Sequence, residues 1–386
     1  MAFIPAKAAE NSVTVNSLAE LQDAIVSADD GDMVYIAEDI EIQDDVNIGV
    51  IDKTVFLAGV EGKTVSIFLS PGFPDGQAAT FVNLVFCGNQ SSGISFVQHG
   101  GASLFQMVRF QHPNESSGES ACFIEDGDAT FSNCNFEGGY TENGTHIYVG
   151  ADATVRADTC TFMAGVASDC GGSIYSLGSV NITDCNFANS CSENEGGSVY
   201  AGGALRLMDC TFDGGASGNG GQILCADPAA EIVGCLFTRG YASVSGGGLS
   251  ATGDIAVSDC TITDCSAGQY GGGIWSSGTV TVQRCRIFRN SADAGAADLY
   301  AATGLTVADS VEDYLSMYED ELSESGMDTA GWYLDGETQR YTDAVSAEVF
   351  SVPSESNGQP VSLAFALQRT AYSPAVETAG LPRIVR

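Results

Sequence analysis

Only three lysines, three histidines and two tryptophans occur among the 386 residues, and no apolar run is long enough to span a membrane. The 50 acidic residues against 14 basic ones leave a formal net charge of -36. Such a surface repels nucleic acid, anionic lipid and polyanionic chains, so no nucleic-acid partner and no membrane insertion are expected. The lysines all precede residue 64, which denies the later chain a lysine base. His99, His112 and His146 stand in no Cys/His metal spacing, and no CxxC occurs. No cofactor and no metal site are expected.

What the chain does hold is a period. Cys134, Cys160, Cys185, Cys210, Cys235, Cys260 and Cys285 are separated by one step of 26 residues and five of 25. Leu84 and Val108 before them and Ser310 after them keep nearly the same phase. A fixed step in this range means one structural unit stacked on copies of itself. Two residues after the slot stand Phe136, Phe162, Phe187, Phe212, Phe237, Ile262 and Ile287. Three before it stand Phe131, Ala157, Ile182, Leu207, Ile232, Val257 and Val282. Alternation with polar residues such as Asn181, Arg206, Glu231 and Thr281 predicts short half-buried strands.

Corners separate the strands. The residue before the slot is Asn133, Asp184, Asp209 or Asp259 in most repeats, types that tolerate the left-handed backbone region. Glycine recurs seven before the slot, at Gly127, Gly178, Gly203, Gly253 and Gly278. Paired glycines recur at Gly171-Gly172, Gly196-Gly197, Gly246-Gly247 and Gly271-Gly272. Three corners and three strands per repeat predict one coil of a parallel β-helix, with like residues stacked about 4.8 Å apart. Parallel Cβ atoms at that spacing do not suit disulfides, so the cysteines read as buried free thiols filling apolar space. Cys87, Cys122, Cys170, Cys191, Cys225 and Cys265 fall off the ladder and read as near turns or on an outer face.

The predicted organisation is a β-helix over residues 13–310, a C-terminal cap or small β-module over 311–368, and a tail or linker over 369–386. Within the first, residues 17–28 predict a capping helix, with Ser17 as N-cap and Glu20 completing a capping box. Residues 311–326 read as helix-like and acidic, and strands are expected at 331–334 and 361–367. Near the start, Ala6-Lys7-Ala8 resembles the tail of a secretory signal, the alternative being an ordinary disordered terminus.

The strings GGSIYSLGSVNITDCNF, GGSVYAGGALRLMDCTF and GGGIWSSGTVTVQRCRIF resemble the GGAI and FxxN repeats of the polymorphic outer membrane protein type. More broadly the chain is similar to the right-handed parallel β-helices of bacterial surface and secreted proteins in the pectin-lyase-like superfamily. The asparagine of FxxN survives in IFRN at 287–290, whereas other coils read FEGG, FDGG and FTRG. The resemblance implies an all-β, right-handed parallel β-helix solenoid with coils of about 25 residues, an N-terminal capping helix and a C-terminal β cap. It implies an extracellular or cell-surface location, with adhesin-like roles in some members and polysaccharide cleavage in others.

Cleavage needs an acid and a base set about 6.5–9.5 Å apart for inversion, or a calcium-holding carboxylate cluster with a basic partner. Neither constellation stands in the sequence, and Glu125-Asp126-Gly127-Asp128 reads as an Asp-Gly turn. Arg284, Arg286 and Arg289 share one coil, but Arg284 stacks on Asp259 in a charge ladder, as Arg206 does on Glu231. No catalytic residue is assigned. The remaining candidate is the column ten before the slot, Tyr175, Tyr200, Cys225, Ser250, Trp275 and Tyr300. It alternates with inward columns and so should face outward, where aromatics can stack on sugar rings or anchor a partner. The expected function is a non-catalytic surface or secreted β-helix contacting glycans or cell-surface proteins through Tyr175, Tyr200, Trp275 and Tyr300. The alternative is a polysaccharide lyase or glycoside hydrolase of the pectin-lyase-like fold.

Overall fold

The computed structural model describes residues 12–74, 76–88, 93–111, 119–226, 230–294 and 296–305, and the backbone of 306–307, 331–334 and 340–343. The N-terminal signal-like stretch, Ser310, His112, the helix-like 311–326, the strand at 361–367 and the tail 369–386 lie outside these residues.

The corners set the coil. The residue before the slot is left-handed, with φ of 53° at Asn133, Thr159 and Asp209, 51° at Asp184, 56° at Asp259 and 49° at Arg284. For Thr159 and Arg284 this backbone is held against an intrinsic cost of about 1–3 kcal/mol by the strands on either side. The corner shifts inward parity, so residues on both sides of it enter the core. A second left-handed corner falls four after the slot, at Gly138, Ala164, Asn189, Gly214, Arg239, Asp264 and Arg289, with φ between 53° and 72°. Its occupants share no residue type, and the sequence reading misses it. The third corner uses the first glycine of each pair; at Gly171 φ is 65° and a Cβ would lie 2.3 Å from Ile174 O. The glycines seven before the slot serve a different end. A Cβ at Gly203 would lie 2.3 Å from Gly178 O, so glycine there permits close coil stacking.

These corners give an all-β, right-handed parallel β-solenoid. The chain divides into two units, Met1–Glu193 with Ser198–Gly203, and Asn194–Gly197 with Ala204–Arg386. In the first unit, one sheet runs from Val13–Val15 through Met33–Ile36, Val55–Gly59, Leu84–Cys87, Arg109–Gln111, Asn135–Glu137 and Thr161–Met163 to Asn186–Ala188, parallel at every step. A second sheet carries Ile147–Asp158, Ile174–Ser176, Ser179–Thr183 and Val199–Ala201. A third carries Tyr140–Thr141, Val166–Ala167 and Cys191–Ser192. The second unit repeats the three sheets, for example Thr211–Asp213, Leu236–Thr238, Thr261–Thr263 and Arg286–Phe288 in the first. Its last described strands are Gly331–Leu334, parallel to Leu299–Ala301, and Arg340–Asp343, antiparallel to Gly331–Leu334. The strand expected at 331–334 is therefore present.

Registered stacking builds the core from sequence columns. Phe110, Phe136, Phe162 and Phe187 lie face to face with centroids 4.7, 4.8 and 4.5 Å apart. Phe81, Phe105 and Phe131 do the same on the facing wall. Each buried ring contributes its transfer free energy and about 0.5–1.5 kcal/mol more from ring pairing. The helix Leu18–Ser27 buries Leu21 and Ile25, and Ser17 Oγ accepts from Glu20 N–H. Glu20 Oε2 accepts in return from Asn16 N–H, one residue outside the usual box.

The ladder cysteines are free and buried, and they do more than fill space. Each Sγ donates to the carbonyl two residues back, as Cys185 does to Thr183 O at 3.1 Å and Cys260 to Ser258 O at 3.1 Å. It also accepts from the slot N–H of the preceding coil, as from Cys134 N to Cys160 Sγ and Cys160 N to Cys185 Sγ. The thiol thus satisfies backbone groups that the corner removes from the sheet ladder. Of the off-ladder cysteines, Cys122, Cys170, Cys225 and Cys265 are buried, while Cys87 and Cys191 are half-buried. Cys170 and Cys265 stand near turns, as one of the two alternatives has it, whereas Cys122 and Cys225 stand at inward strand positions, which neither alternative gave.

The second corner leaves inward carbonyls, and polar side chains meet them. Asn290 Nδ2 donates to Phe288 O and Ile262 O and to Asp298 Oδ1, while its Oδ1 accepts from Cys265 N–H. In coils that have lost this asparagine, the facing wall supplies the donor. His146 Nε2 donates to Gly138 O of FEGG. Gln222 Nε2 donates to Phe212 O and Gly214 O of FDGG and to Thr238 O of FTRG. The repeat can lose its asparagine because another residue takes over the bond.

Candidate aromatic binding ridge

The outward column of the second sheet starts from register. Phe123 pairs with Tyr148, Tyr148 with Tyr175, and Tyr175 with Tyr200. All four are half-buried. Their rings stack with centroids 4.5, 5.3 and 4.9 Å apart and interplanar angles of 11°, 26° and 9°. The structure therefore brings Tyr175 and Tyr200 together and adds Phe123 and Tyr148, which the fixed count of ten before the slot passes over. In the second unit the column is Leu224, Ser250, Trp275 and Tyr300. Cys225 belongs instead to the inward small column beside Ala251, a correction of one position.

Exposure also needs correcting in the second unit. Ser250 is 1% and Tyr300 8% exposed, so this stretch is not an open aromatic face. Tyr300 stacks against Trp275 at 6.2 Å and is covered by Tyr270, a turn residue outside the strand, at 5.1 Å. Stacking has a consequence in the first unit as well. Rings parallel to their neighbours spend their faces on each other, so a ligand meets outer edges in a row at one-coil intervals.

The borders of the ridge are distinct. On one side run the turns before each strand: a Cβ at Gly144 would lie 2.9 Å from Tyr175 Cβ, and one at Gly171 3.0 Å from Tyr175 Cα. On the other side are Leu177, 40% exposed, and Gly202, whose Cβ position is 3.2 Å from Tyr200 Cε1 and 3.3 Å from Leu177 Cδ2. Burial, then the neighbouring phenols Tyr200 and Tyr148, Cys170 and Asp169, push the Tyr175 hydroxyl up to about 12. It stays a protonated donor throughout the physiological range.

The acid–base candidates scatter. Glu125 meets His99 Nδ1 at 2.5 Å, Asp126 Oδ1 accepts from Gly127 N–H, and Asp128 pairs with Arg156 at 3.0 Å. Arg284 grips Asp259 with two bonds, Arg289 meets Asp264, Arg239 meets Asp213 and Arg206 meets Glu231. Arg284, Arg289 and Arg239 take the acid one coil earlier and Arg206 the acid one coil later, as the charge-ladder reading of Arg284 and Arg206 expects. Arg289 also flanks Phe288, with Arg286 on the same ring, at 5.2 and 5.4 Å from its centroid. Among the described residues, no three His, Cys, Asp or Glu side chains gather as a metal-holding group.

Residues 73–237 match the family described as a right handed beta helix region, in agreement with the coil geometry. No curated protein and no solved structure matches the chain.

Proposed function

We propose that this β-helix protein is a non-catalytic binding protein, secreted or displayed outside the cell in adhesin fashion, whose ridge Phe123–Tyr148–Tyr175–Tyr200 contacts a glycan. The observation that supports this reading is the unbroken four-ring register on an outer sheet face. Aromatic residues spent on such a face contribute nothing to the interior core. They form a straight, rigid edge of apolar carbon with phenol hydroxyls, repeated once per coil. A polymer that repeats about every pyranose ring can lie along that row and make the same contact several times. Multiplying weak contacts in this way raises the affinity of a long ligand well above that of a monosaccharide.

The test is a glycan array probed with the wild type, Tyr175→Ala, Tyr200→Ala and Trp275→Ala. Binding that survives Trp275→Ala and is lost in Tyr175→Ala and Tyr200→Ala supports the ridge. Unchanged binding in all three removes it. Release of oligosaccharide from any polymer overturns the non-catalytic reading and favours a polysaccharide lyase or hydrolase.

A further inference from the structure

The slot cysteines form a file in each unit, Cys134, Cys160 and Cys185 in the first and Cys210, Cys235, Cys260 and Cys285 in the second. All seven are free and buried. Strands on both sides of the slot hold the first file in register: Phe136 pairs with Phe162 and Phe162 with Phe187 after it, Phe131 with Ala157 and Ala157 with Ile182 before it. In the second unit Phe212, Phe237, Ile262 and Ile287 keep the same pairing. Successive sulfurs in a file therefore follow one another at about one strand spacing, ~4.8 Å. Cys134 and Cys185 lie within hydrogen-bonding reach of the Cys160 thiol, and Cys210 and Cys260 within reach of Cys235.

Three properties of the files point to a ligand. Two metal–sulfur bonds of about 2.3 Å laid end to end span about 4.6 Å, so each gap between neighbours has the length of a linear sulfur–metal–sulfur bridge. A backbone N–H of the preceding coil is aimed at the sulfur, at 3.4 Å from Cys134 to Cys160, 3.2 Å from Cys160 to Cys185 and 3.4 Å from Cys235 to Cys260. Such a donor favours the thiolate form that a metal requires. The sulfurs also stand in single file. Among the described residues no three His, Cys, Asp or Glu side chains surround one point, which denies zinc or an iron–sulfur cluster its four ligands but leaves two-coordinate bridging open.

From this geometry we propose that the two files bind copper(I) in two-coordinate bridges between successive sulfurs, a site independent of the glycan reading. Copper(I) is a soft ion that thiolates select. For each bridge one Cys S–H bond breaks and a sulfur–copper bond takes its place. The neighbouring sulfur gives a lone pair to the same ion, and the proton leaves to solvent. One positive charge replaces another and nothing is oxidised or reduced, so the enclosed file stays neutral. Three sulfurs enclose two such gaps, and four enclose three. The carbonyl two residues back loses its donor when the proton leaves, as Thr183 O does at Cys185, and that cost restricts the file to an ion with a strong bond to sulfur. Ions enter a buried file when a coil opens, so loading is slow in the folded chain and fast during folding.

The experiment incubates the full chain overnight, without oxygen, with copper(I) supplied as its acetonitrile complex, and carries a second sample through refolding in the same ion. Parallel samples receive zinc(II). After a small-molecule chelator strips loosely held ion, native mass spectrometry counts what remains and near-ultraviolet absorption reads copper(I)–thiolate bonds. The expected result is one retained copper per gap, with zinc removed. Cys160→Val, valine being the occupant of the same phase at Val108, should lose two coppers, and Cys235→Val should lose two. The double variant Cys87→Ala with Cys191→Ala, off the files, should keep the full count. If the slot variants fail to fold, the wild-type count, the preference over zinc and the Cys87 and Cys191 control decide alone. No retained copper in either wild-type sample overturns the proposal. So do retention of zinc in preference to copper, loss of copper in the Cys87 and Cys191 variant, and a count unchanged by both slot substitutions.

Discussion

Replacing Asn290 by alanine tests whether the inward polar side chains hold the second corner. Asn290 is 7% exposed and makes four bonds between 2.7 and 3.1 Å. Alanine leaves the buried Cys265 N–H without its acceptor, a loss of about 1–3 kcal/mol, and strips a donor from the fully buried Asp298 carboxyl, worth a further ~1.5–3 kcal/mol. Asp298 keeps its bond from the Asn290 backbone N–H at 3.0 Å, so the carboxyl is weakened and not orphaned. The expected destabilisation is about 3–5 kcal/mol. Because neighbouring coils interact mainly pairwise, the loss should concentrate in the coils around residues 260–298 instead of spreading evenly. Hydrogen exchange followed by mass spectrometry reads this directly: amides there should exchange roughly 10²- to 10⁴-fold faster, while those of the first unit hold. The control is Asn186→Ala, an exposed strand position expected to change stability by less than about 0.5 kcal/mol. Equal, small effects from the two variants would refute the bonding argument, as would acceleration spread over the whole chain.

Two further outcomes follow from burial. Tyr175, pushed up to about 12, should contribute a late step to an ultraviolet phenolate titration that Tyr175→Phe removes. Between about pH 10 and 12 the unfolded phenol ionises while the folded one keeps its proton, so stability should fall as pH rises through that window. Of the 13 thiols, all should react with a disulfide reagent after denaturation. In the native protein only the half-buried Cys87 and Cys191 are expected to react, and slowly, because burial raises both thiols, Cys87 to about 12. Rapid native reaction of more than two thiols would contradict the enclosed ladder.

The corner before the slot and the phenylalanine stack were legible because each repeats one chemical demand in one residue class: left-handed backbone asks for Asp, Asn or Gly, and an inward strand position asks for an apolar side chain. The corner four after the slot was not, although its φ values are as uniform. Ala164, Asn189, Arg239, Asp264 and Arg289 share the conformation without sharing a side-chain property, so packing imposes it from outside the residue. Degeneracy in FxxN has a related cause. The bond to the corner carbonyls is required, but the donor can come from Asn290 on one wall or from His146 or Gln222 on the other. A column search looks at one wall at a time and sees only a missing asparagine.

The count of ten before the slot misplaced Cys225 and passed over Phe123 and Tyr148 for a different reason, which is compensation within a coil. Phe212 to Ile223 spans 11 residues where Phe237 to Leu249 spans 12, and Cys225 to Ala230 spans 5 where Ala251 to Ile255 spans 4. The two changes cancel over the coil, so the cysteine period runs on undisturbed while the strand between them shifts by one. The coil holding Tyr148 adds two residues after the strand instead, between Val149 and Val155, which puts Tyr148 twelve before its slot. A period measured at one corner therefore guarantees register only near that corner. Exposure lies further still from the sequence: Tyr175 and Tyr300 occupy equivalent outward positions, yet one is half open and the other closed, with Tyr270 of the adjoining turn against Tyr300 and the strand Gly331–Leu334 paired alongside it. An outward strand position does not by itself leave an aromatic open to a ligand: the neighbouring turn and the next coil decide how much of the ring is covered.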